Sequence, residues 1–115
     1  IIIMNKINYL KSCRKKAGLS QSDISHIIYK PSLSAISRIE DGLKIPDLKT
    51  SFYLSMLYQK PVCELFEKLH EDCTFELLRR VDLLLGEYSK STEEKDRIKM
   101  SFLEQAIGNI KKATK

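Results

Sequence analysis

The sequence predicts an all-α protein, and two observations, its few turn residues and its helical periodicity, support that prediction. The 115-residue chain contains only 4 Gly and 3 Pro, few for the many turns of a sheet protein. Apolar residues recur at intervals of three and four along nearly every segment, the spacing that places them on one face of a helix. With 43% hydrophobic and 30% charged residues, the composition is that of a globular protein rather than a disordered one.

The first two predicted helices have recognisable ends. A first helix is expected over residues 5–17, and Gly18 follows it in the position where glycine often ends a helix. Ser20 is a natural N-cap for the second helix, and Asp23 three residues later approximates a capping box. The apolar stripe of this second helix consists of Ile24, Ile27 and Ile28.

A turn, Tyr29-Lys30-Pro31, separates the second helix from the third. Pro31 cannot continue a helix, and it biases the residue before it away from helical angles. Ser32 then caps a third helix, which Gly42 ends. The sequence therefore predicts two short helices joined by an extended turn.

Four more helices are expected in the rest of the chain. Pro46 and Asp47 open the fourth, and a short fifth helix covers residues 62–69. Thr74 is the expected cap of a sixth helix running to Tyr88. Ser91 and Glu94 form a predicted capping box for the last helix. The last two helices are both amphipathic.

The net charge of +5 is distributed unevenly along the chain. Residues 1–63 contain 10 basic and 4 acidic residues, whereas residues 64–115 contain 10 and 11. A basic half is the electrostatic signature of a surface that meets phosphate or another anionic partner. Charge alone fits a solvated basic surface equally well.

The cysteines and the apolar runs indicate where the protein acts. Three cysteines, Cys13, Cys63 and Cys73, form no paired pattern, which argues against a disulfide framework and for a reducing, cytoplasmic compartment. No apolar run reaches the ~18 residues that a membrane helix needs. The opening Ile-Ile-Ile is too short for a signal peptide, so Met4 is the expected natural start.

Neither a metal site nor an enzyme active site is expected. Cys63, His70 and Cys73 would share a face on one continuous helix, but structural zinc takes four ligands and no fourth accompanies them. Nucleophile-base sets, glycine-rich phosphate loops and paired carboxylates do not stand out in the sequence. We therefore expect no metal, no cofactor and no catalytic residues.

The second and third helices have the layout of a DNA-reading motif. Two short helices joined by a turn, on a basic surface, can place one helix in the major groove. That helix needs small or polar residues on its exposed side and apolar residues behind them. The residues expected to project outward are Ser32, Leu33, Ser34, Ser37 and Arg38.

Residues 10–66 resemble the lambda-repressor-like helix-turn-helix family, which includes phage repressors, Cro and xenobiotic-response-type bacterial regulators. The resemblance rests on "LSQ" at 19–21, "ISRIEDG" at 36–42 and Pro46. Further matching positions are Leu10, Arg14, Gly18, Ile24, Ile28, Leu48, Leu54, Leu57, Val62 and Leu65. The resemblance covers about half the chain. It implies a five-helix DNA-binding domain over residues 4–69, followed by two helices in residues 70–115.

The resemblance also implies which residues would read bases. Leu33, Ser34 and Arg38 match the usual base-reading positions of the family, with Ser32 and Ser37 beside them. Because arginine can hold guanine O6 and N7 with two parallel hydrogen bonds, Arg38 is the strongest candidate. Ser34 can donate or accept a hydrogen bond, and Leu33 can contact a thymine methyl group.

Other matching residues would hold the phosphate backbone or the fold. Gln21 matches the family glutamine that binds a phosphate and braces the recognition helix, and Arg14 and Glu40 match a structural ion pair. Further candidate phosphate contacts are His26, Lys15, Lys16, Lys30, Lys44 and Lys49. Such contacts position a protein on DNA without selecting sequence.

The turn departs from the family pattern in two ways. Tyr29 stands where the family usually has glycine, and one extra residue lies between Gln21 and Ile36. Ser25 replaces the small alanine usual inside the second helix. The longer turn leaves the tilt of the recognition helix open.

Two amphipathic C-terminal helices cannot bury their apolar faces alone. Self-association as a homodimer is expected, and packing onto the first domain or binding a different protein are the alternatives. The expected function is a sequence-specific transcriptional regulator, a repressor that binds two-fold double-stranded DNA sites in the cytoplasm, associated with the nucleoid. The alternatives are an antitoxin-like partner that also autoregulates, and a protein-interaction module that binds no DNA.

Overall fold

The computed structural model describes residues 7–29 and 32–113, and these form seven α-helices and no strand. The helices are α1 (Leu10–Lys16), α2 (Gln21–Ile28), α3 (Leu33–Glu40), α4 (Leu48–Tyr58), α5 (Val62–Leu65), α6 (Glu67–Tyr88) and α7 (Glu94–Ala113). The predicted all-α class is confirmed. None of these helices, over the residues described, combines the length and apolar character that crossing a bilayer requires.

The chain divides into two compact units, Ile1–His70 and Glu71–Lys115, and the division falls within α6. The first unit contains the buried core, to which α1 to α5 all contribute. The core residues are Leu10, Ile24, Ile28, Ile36, Ile39, Leu54, Leu65 and Phe66. Each fully buried Ile or Leu stabilises the fold by roughly 1.5–3 kcal/mol relative to an exposed one. The core therefore fixes the side of each helix that faces inward.

The predicted capping box at the start of α2 is formed. The Asp23 backbone N–H donates to Ser20 Oγ at 3.0 Å, and the Ser20 backbone N–H donates to the Asp23 carboxylate at 2.8 Å. The hydrogen bonds from Ser20 hold the pKa of the Asp23 carboxyl below its usual range. Two N–H groups that the helix leaves unpaired are thereby satisfied.

Glycines end α1 and α3 by the same motif. Gly18 and Gly42 have φ of +74° and +76°, the left-handed region that glycine enters at little cost. The next amide reaches back over each turn: Leu19 N–H donates to the Arg14 carbonyl at 3.1 Å. At the end of α3, Leu43 N–H donates to the Arg38 carbonyl at 2.8 Å. These bonds satisfy carbonyl groups that a helix end would otherwise expose.

Tyr29 takes the left-handed conformation in the place where the sequence lacks the expected glycine. Its φ of 55° and ψ of 40° end α2, and its backbone N–H donates to the Ser25 carbonyl. The side chain is 90% exposed. Lys30 and Pro31, the rest of the predicted extended turn, lie outside the described residues.

We expect Tyr29→Gly to raise the free energy of unfolding by about 0.5 kcal/mol, although it removes an aromatic side chain. The left-handed conformation costs a residue with a β-carbon about 1–2 kcal/mol, and the greater freedom of glycine in the unfolded chain offsets part of that gain. Tyr29→Ala is the control, because it removes the ring and keeps the β-carbon. Urea unfolding followed by circular dichroism compares them, and a glycine variant no more stable than the alanine variant would contradict the interpretation.

The predicted start of the first helix is wrong over residues 7–9, because α1 begins only at Leu10. Asn8, which is buried, accepts a hydrogen bond from the Leu10 N–H at Oδ1 (3.1 Å). Its Nδ2 donates to the Ile39 carbonyl at 2.9 Å. Because the Asn8 side chain binds both the start of α1 and the distant helix α3, it holds residues 7–9 outside the helix.

Two further predicted boundaries are wrong. Helix α6 runs without a break through Thr74, because its 22 residues contain no proline and only Gly86, close to the end. The predicted break after residue 69 is absent, and α5 ends at Leu65. Helix α7 begins at Glu94, and the Ser91 hydroxyl accepts from the Glu93 N–H at 3.1 Å in place of the predicted box with Glu94.

Candidate nucleic-acid interface

Helix α3 has one exposed polar side and one buried side. Residues 33, 34, 37 and 38 span an arc of about 140° on an ideal helix. Leu33 is 51% exposed, Ser34 and Arg38 are also exposed, and Ser37 is half-buried. Ile36, Ile39 and Glu40 are buried on the other side. The predicted outward residues therefore lie together on one accessible surface backed by the core.

The serines of this surface are engaged locally. Ser32 Oγ accepts a hydrogen bond from the Ala35 N–H at 3.4 Å as the N-cap of α3, and it lies 3.0 Å from Ser34 Oγ. Ser37 Oγ donates to the Asp41 carboxylate at 3.5 Å. Within the part of the chain that the structure describes, the Arg38 guanidinium has no hydrogen-bond or ion-pair partner. Arg38 is therefore the charged group on α3 that is available to a ligand.

An ion pair joins α1 to the end of α3. Arg14 Nε lies 2.8 Å from Glu40 Oε2, and Nη2 lies 3.1 Å from Oε1, so the guanidinium holds the carboxylate with two hydrogen bonds. The Arg14 and Glu40 side chains are only 10% and 3% exposed. The structure thus brings together the two residues predicted to form a structural pair.

Two further contacts complete this polar cluster. Arg14 Nη1 donates to the Leu19 carbonyl at 3.1 Å, and Gln21 Nε2 donates to Glu40 Oε1 at 3.1 Å. Among the described residues, every buried side-chain nitrogen or oxygen has a hydrogen-bond partner. The cluster ties α1, α2 and α3 to one carboxylate, which braces α3 against the first two helices.

The cluster also affects the ionisation of its members. The hydrogen bond from Arg14 to Glu40 raises the pKa of the Arg14 guanidinium, so it stays charged throughout the accessible pH range. Burial, together with the nearby Glu40 charge, raises the pKa of the Tyr58 phenol to about 12. Both groups therefore keep their neutral-pH forms well into alkaline solution.

The predicted phosphate contacts fall into distinct environments. Lys15, Lys44 and Lys49 are exposed, and Lys49 Nζ lies 5.9 Å from the centroid of the Tyr53 ring. His26 is exposed, with Nδ1 3.2 Å from the Ser22 carbonyl oxygen. These side chains reach solvent and remain candidates.

Three other phosphate candidates stand apart from this group. Lys16 lines a surface groove of about 270 Å³ together with Glu64 and Glu67, whose carboxylates weaken its attraction for phosphate. Gln21 is half-buried and already donates to Glu40. Lys30 lies outside the described residues.

Sequence reasoning missed two residues that support this surface. Asn8 binds the Ile39 carbonyl from outside the helices, and Tyr58 lies half-buried close to Glu40. An asparagine next to an apolar stripe has no distinctive pattern, and Tyr58 occupies an ordinary apolar position of α4. No local signal identifies either role, because both depend on contacts between distant segments.

The described residues contain no group of three or more His, Cys, Asp or Glu side chains arranged to hold a metal ion. Cys13, Cys63 and Cys73 are free thiols, half-buried in the first case and exposed in the other two. No family model, curated protein or solved structure matches this chain.

Proposed function

We propose that this protein is a sequence-specific DNA-binding transcriptional regulator, a repressor that binds a two-fold operator as a dimer in the cytoplasm. In this proposal α1 to α5 form a lambda-repressor-like domain, with α2 as the supporting helix and α3 as the recognition helix. The observation that carries the proposal is the exposed side of α3. There the Arg38 guanidinium has no partner among residues 7–29 and 32–113, and the opposite side of the helix is anchored in the core.

The recognition chemistry follows from the side chains on this surface. Arg38 would hold guanine O6 and N7 with two parallel hydrogen bonds, the commonest specific contact in the major groove. Leu33 at the start of the helix would contact a thymine methyl group. The Ser34 hydroxyl would donate or accept at a base edge. Ser32 and Ser37 are occupied by capping and by Asp41, so they would contribute less.

The positive net charge of the first unit, together with the Gln21 amide of the polar cluster, would bind the phosphate backbone. By sequence count, residues 1–70 contain 11 basic and 6 acidic residues, whereas residues 71–115 contain nine of each. The whole net charge therefore belongs to the unit that contains α3. Gln21 uses one amide N–H on Glu40, and its second N–H would donate to a phosphate oxygen.

Dimeric binding would follow from the two units acting together. Each first unit would place its α3 in one major groove, and the second units would hold the pair, so that the half-sites lie one helical turn apart. A dimer seated on a promoter would exclude polymerase by steric blocking. Because phosphate contacts release counterions, its affinity would fall steeply with salt.

Selection of bound duplexes from a random library, with the purified full-length chain, tests this proposal. We expect an enriched two-fold motif whose half-sites are about 10–10.5 base pairs apart, centre to centre. Affinity for that motif should fall by at least tenfold between about 50 and 200 mM salt. No enrichment would overturn the assignment of DNA recognition, whereas enrichment of isolated half-sites would overturn only the dimer.

A further inference from the structure

The helices of the second unit bury none of their residues completely. Helices α6 and α7, all of whose residues the structure describes, contain no buried side chain. In the second unit the half-buried apolar residues are Leu78, Val81, Leu85 and Tyr88 on α6 and Met100, Leu103, Ala106, Ile107 and Ile110 on α7. Lys99 Nζ of α7 lies 5.1 Å from the centroid of the Tyr88 ring of α6. The two helices therefore pack as a hairpin that is too small to form a core by itself.

Helix α6 has apolar residues for two seams. Leu77 and Leu78 are adjacent, and the same pair of leucines recurs seven residues later as Leu84 and Leu85. Leu78 and Leu85 are half-buried in the hairpin, whereas Leu77 is 50% and Leu84 37% exposed. A wide apolar stripe with a seven-residue repeat is typical of a helix that packs against two neighbours in a bundle.

Helix α7 has a matching exposed pair. Ile98 is 66% and Phe102 69% exposed, and their spacing of four places them on one side of the helix. Ala106, the next residue at that spacing, is half-buried. The pair lies apart from the α7 residues that face α6.

The exposed residues of both helices lie on the same side of the hairpin. Each residue advances about 100° around a helix, so Leu77 and Leu84 lie about 70° behind the direction in which α6 faces α7. By the same measure Phe102 lies about 105° and Ile98 about 145° behind the direction in which α7 faces α6, so Ile98 stands toward the outer edge of the hairpin. Because both helices are right-handed and run antiparallel, a backward displacement on each leads to the same side.

The opposite side of the hairpin is mostly charged. The same geometry places Glu71 and Asp82 of α6 on that side, together with Arg97, Glu104 and Lys111 of α7. Phe75, which is 70% exposed, is its one large apolar residue. The hairpin thus has one apolar face, formed by Leu77, Leu84 and Phe102 with Ile98 at its outer edge, and one polar face.

We propose that this apolar face packs on the same face of a second copy, so that α6 and α7 of two chains form a four-helix bundle. A two-helix hairpin with one free apolar face is half of such a bundle, and the second copy would supply the core that one hairpin lacks. The second unit has nine basic and nine acidic residues, so two copies approach without net repulsion.

The area is adequate for a second copy. From their exposed fractions, the four side chains of the face leave about 400 Å² accessible on each chain, or about 800 Å² for the pair. That is roughly half of a standard interface, and the polar rim around the face supplies the remainder. The inference deepens the dimer of the proposed function and rests on that part of it.

Sedimentation of the full-length chain, without DNA, tests the interface with matched variants. Phe102→Glu should raise the dimer dissociation constant at least about 100-fold, because a two-fold interface loses two buried phenylalanines at once. Phe75→Glu, equally exposed on the polar face, should change that constant by no more than about twofold. Leu77→Glu and Leu83→Glu, on and off the apolar face of α6, repeat the comparison if Phe102→Glu loses helicity.

Four outcomes would overturn the inference. They are a monomeric wild-type chain, a Phe102→Glu or Leu77→Glu chain that stays dimeric, equal dissociation by the variants on both faces, and occupation of the apolar face by a different polypeptide. Because the sample contains no DNA, a failure to dimerise is distinct from a failure to recognise an operator. Loss of dimerisation in the apolar-face variants alone supports the bundle.

Discussion

Replacing Arg14 by methionine is expected to lower the free energy of unfolding by about 3–5 kcal/mol. Methionine keeps much of the apolar stem and removes the guanidinium, so Glu40, whose side chain is 3% exposed, would lose its cation. The Leu19 carbonyl would lose a donor as well. The Gln21 amide alone cannot compensate a buried carboxylate.

A double-mutant cycle separates the loss of the pair from the cost of an unpaired charge. Arg14→Met combined with Glu40→Met should recover at least about 2 kcal/mol, because the double variant buries no charge. Arg80→Met is the matched control: its pair with Glu76 is exposed (68% and 55%), so its removal should cost under about 1 kcal/mol. Urea unfolding at one fixed protein concentration measures five chains: wild type, Arg14→Met, Glu40→Met, the double variant and Arg80→Met. A single-variant loss as small as the Arg80 control would show that the cluster does not brace the fold.

Replacing Arg38 by alanine is expected to lower affinity for the selected operator by roughly 10- to 100-fold at matched salt. The guanidinium is exposed and has no partner among the described residues, so its loss leaves the fold intact. The base preference should relax at one position in each half-site. Titration of wild type and variant against operators changed at single positions measures both effects.

Two other substitutions separate base reading from general attraction. Lys44→Ala, in the loop after α3, should weaken binding equally for all sequences and reduce the slope of log affinity against log salt by about one. Lys90→Ala, an exposed lysine of the second unit, should change neither quantity. An Arg38→Ala chain with unchanged affinity and unchanged base preference would show that another residue of α3 reads the DNA.

Much of the helical framework could be predicted because its signals are local. The Ser20–Asp23 box and the Gly18 and Gly42 ends depend on residues three to five apart, and all three occur where the sequence predicts them. The start of α1 could not be predicted, because Asn8 is held by the carbonyl of Ile39, which is 31 residues away. Helix α6 shows that a local signal can also mislead. Thr74 has the sequence pattern of an N-cap, yet it lies inside an uninterrupted helix.

The candidate surface on α3 likewise has some features that the sequence predicts and others that it does not. Helical spacing identifies which residues of α3 share the outward side, and the burial of Ile36 and Ile39 agrees with it. Spacing does not reveal that Ser37 donates to Asp41, or that Glu40 is paired whereas the Arg38 guanidinium has no partner among the described residues. Both facts depend on side-chain rotamers and on which residues the turn after α3 brings close to the helix.

The sequence by itself determined the all-α class, the capped start of α2, the glycine ends of α1 and α3, and the side of α3 that carries polar residues. Each of these is a consequence of interactions within a few residues along the chain. Only the tertiary structure decided that Gln21 donates to Glu40, that Tyr29 takes the left-handed conformation, and that one side of the α6–α7 hairpin stays apolar and exposed. These features depend on how segments are placed relative to one another, and the residues within a few positions along the chain do not determine that placement.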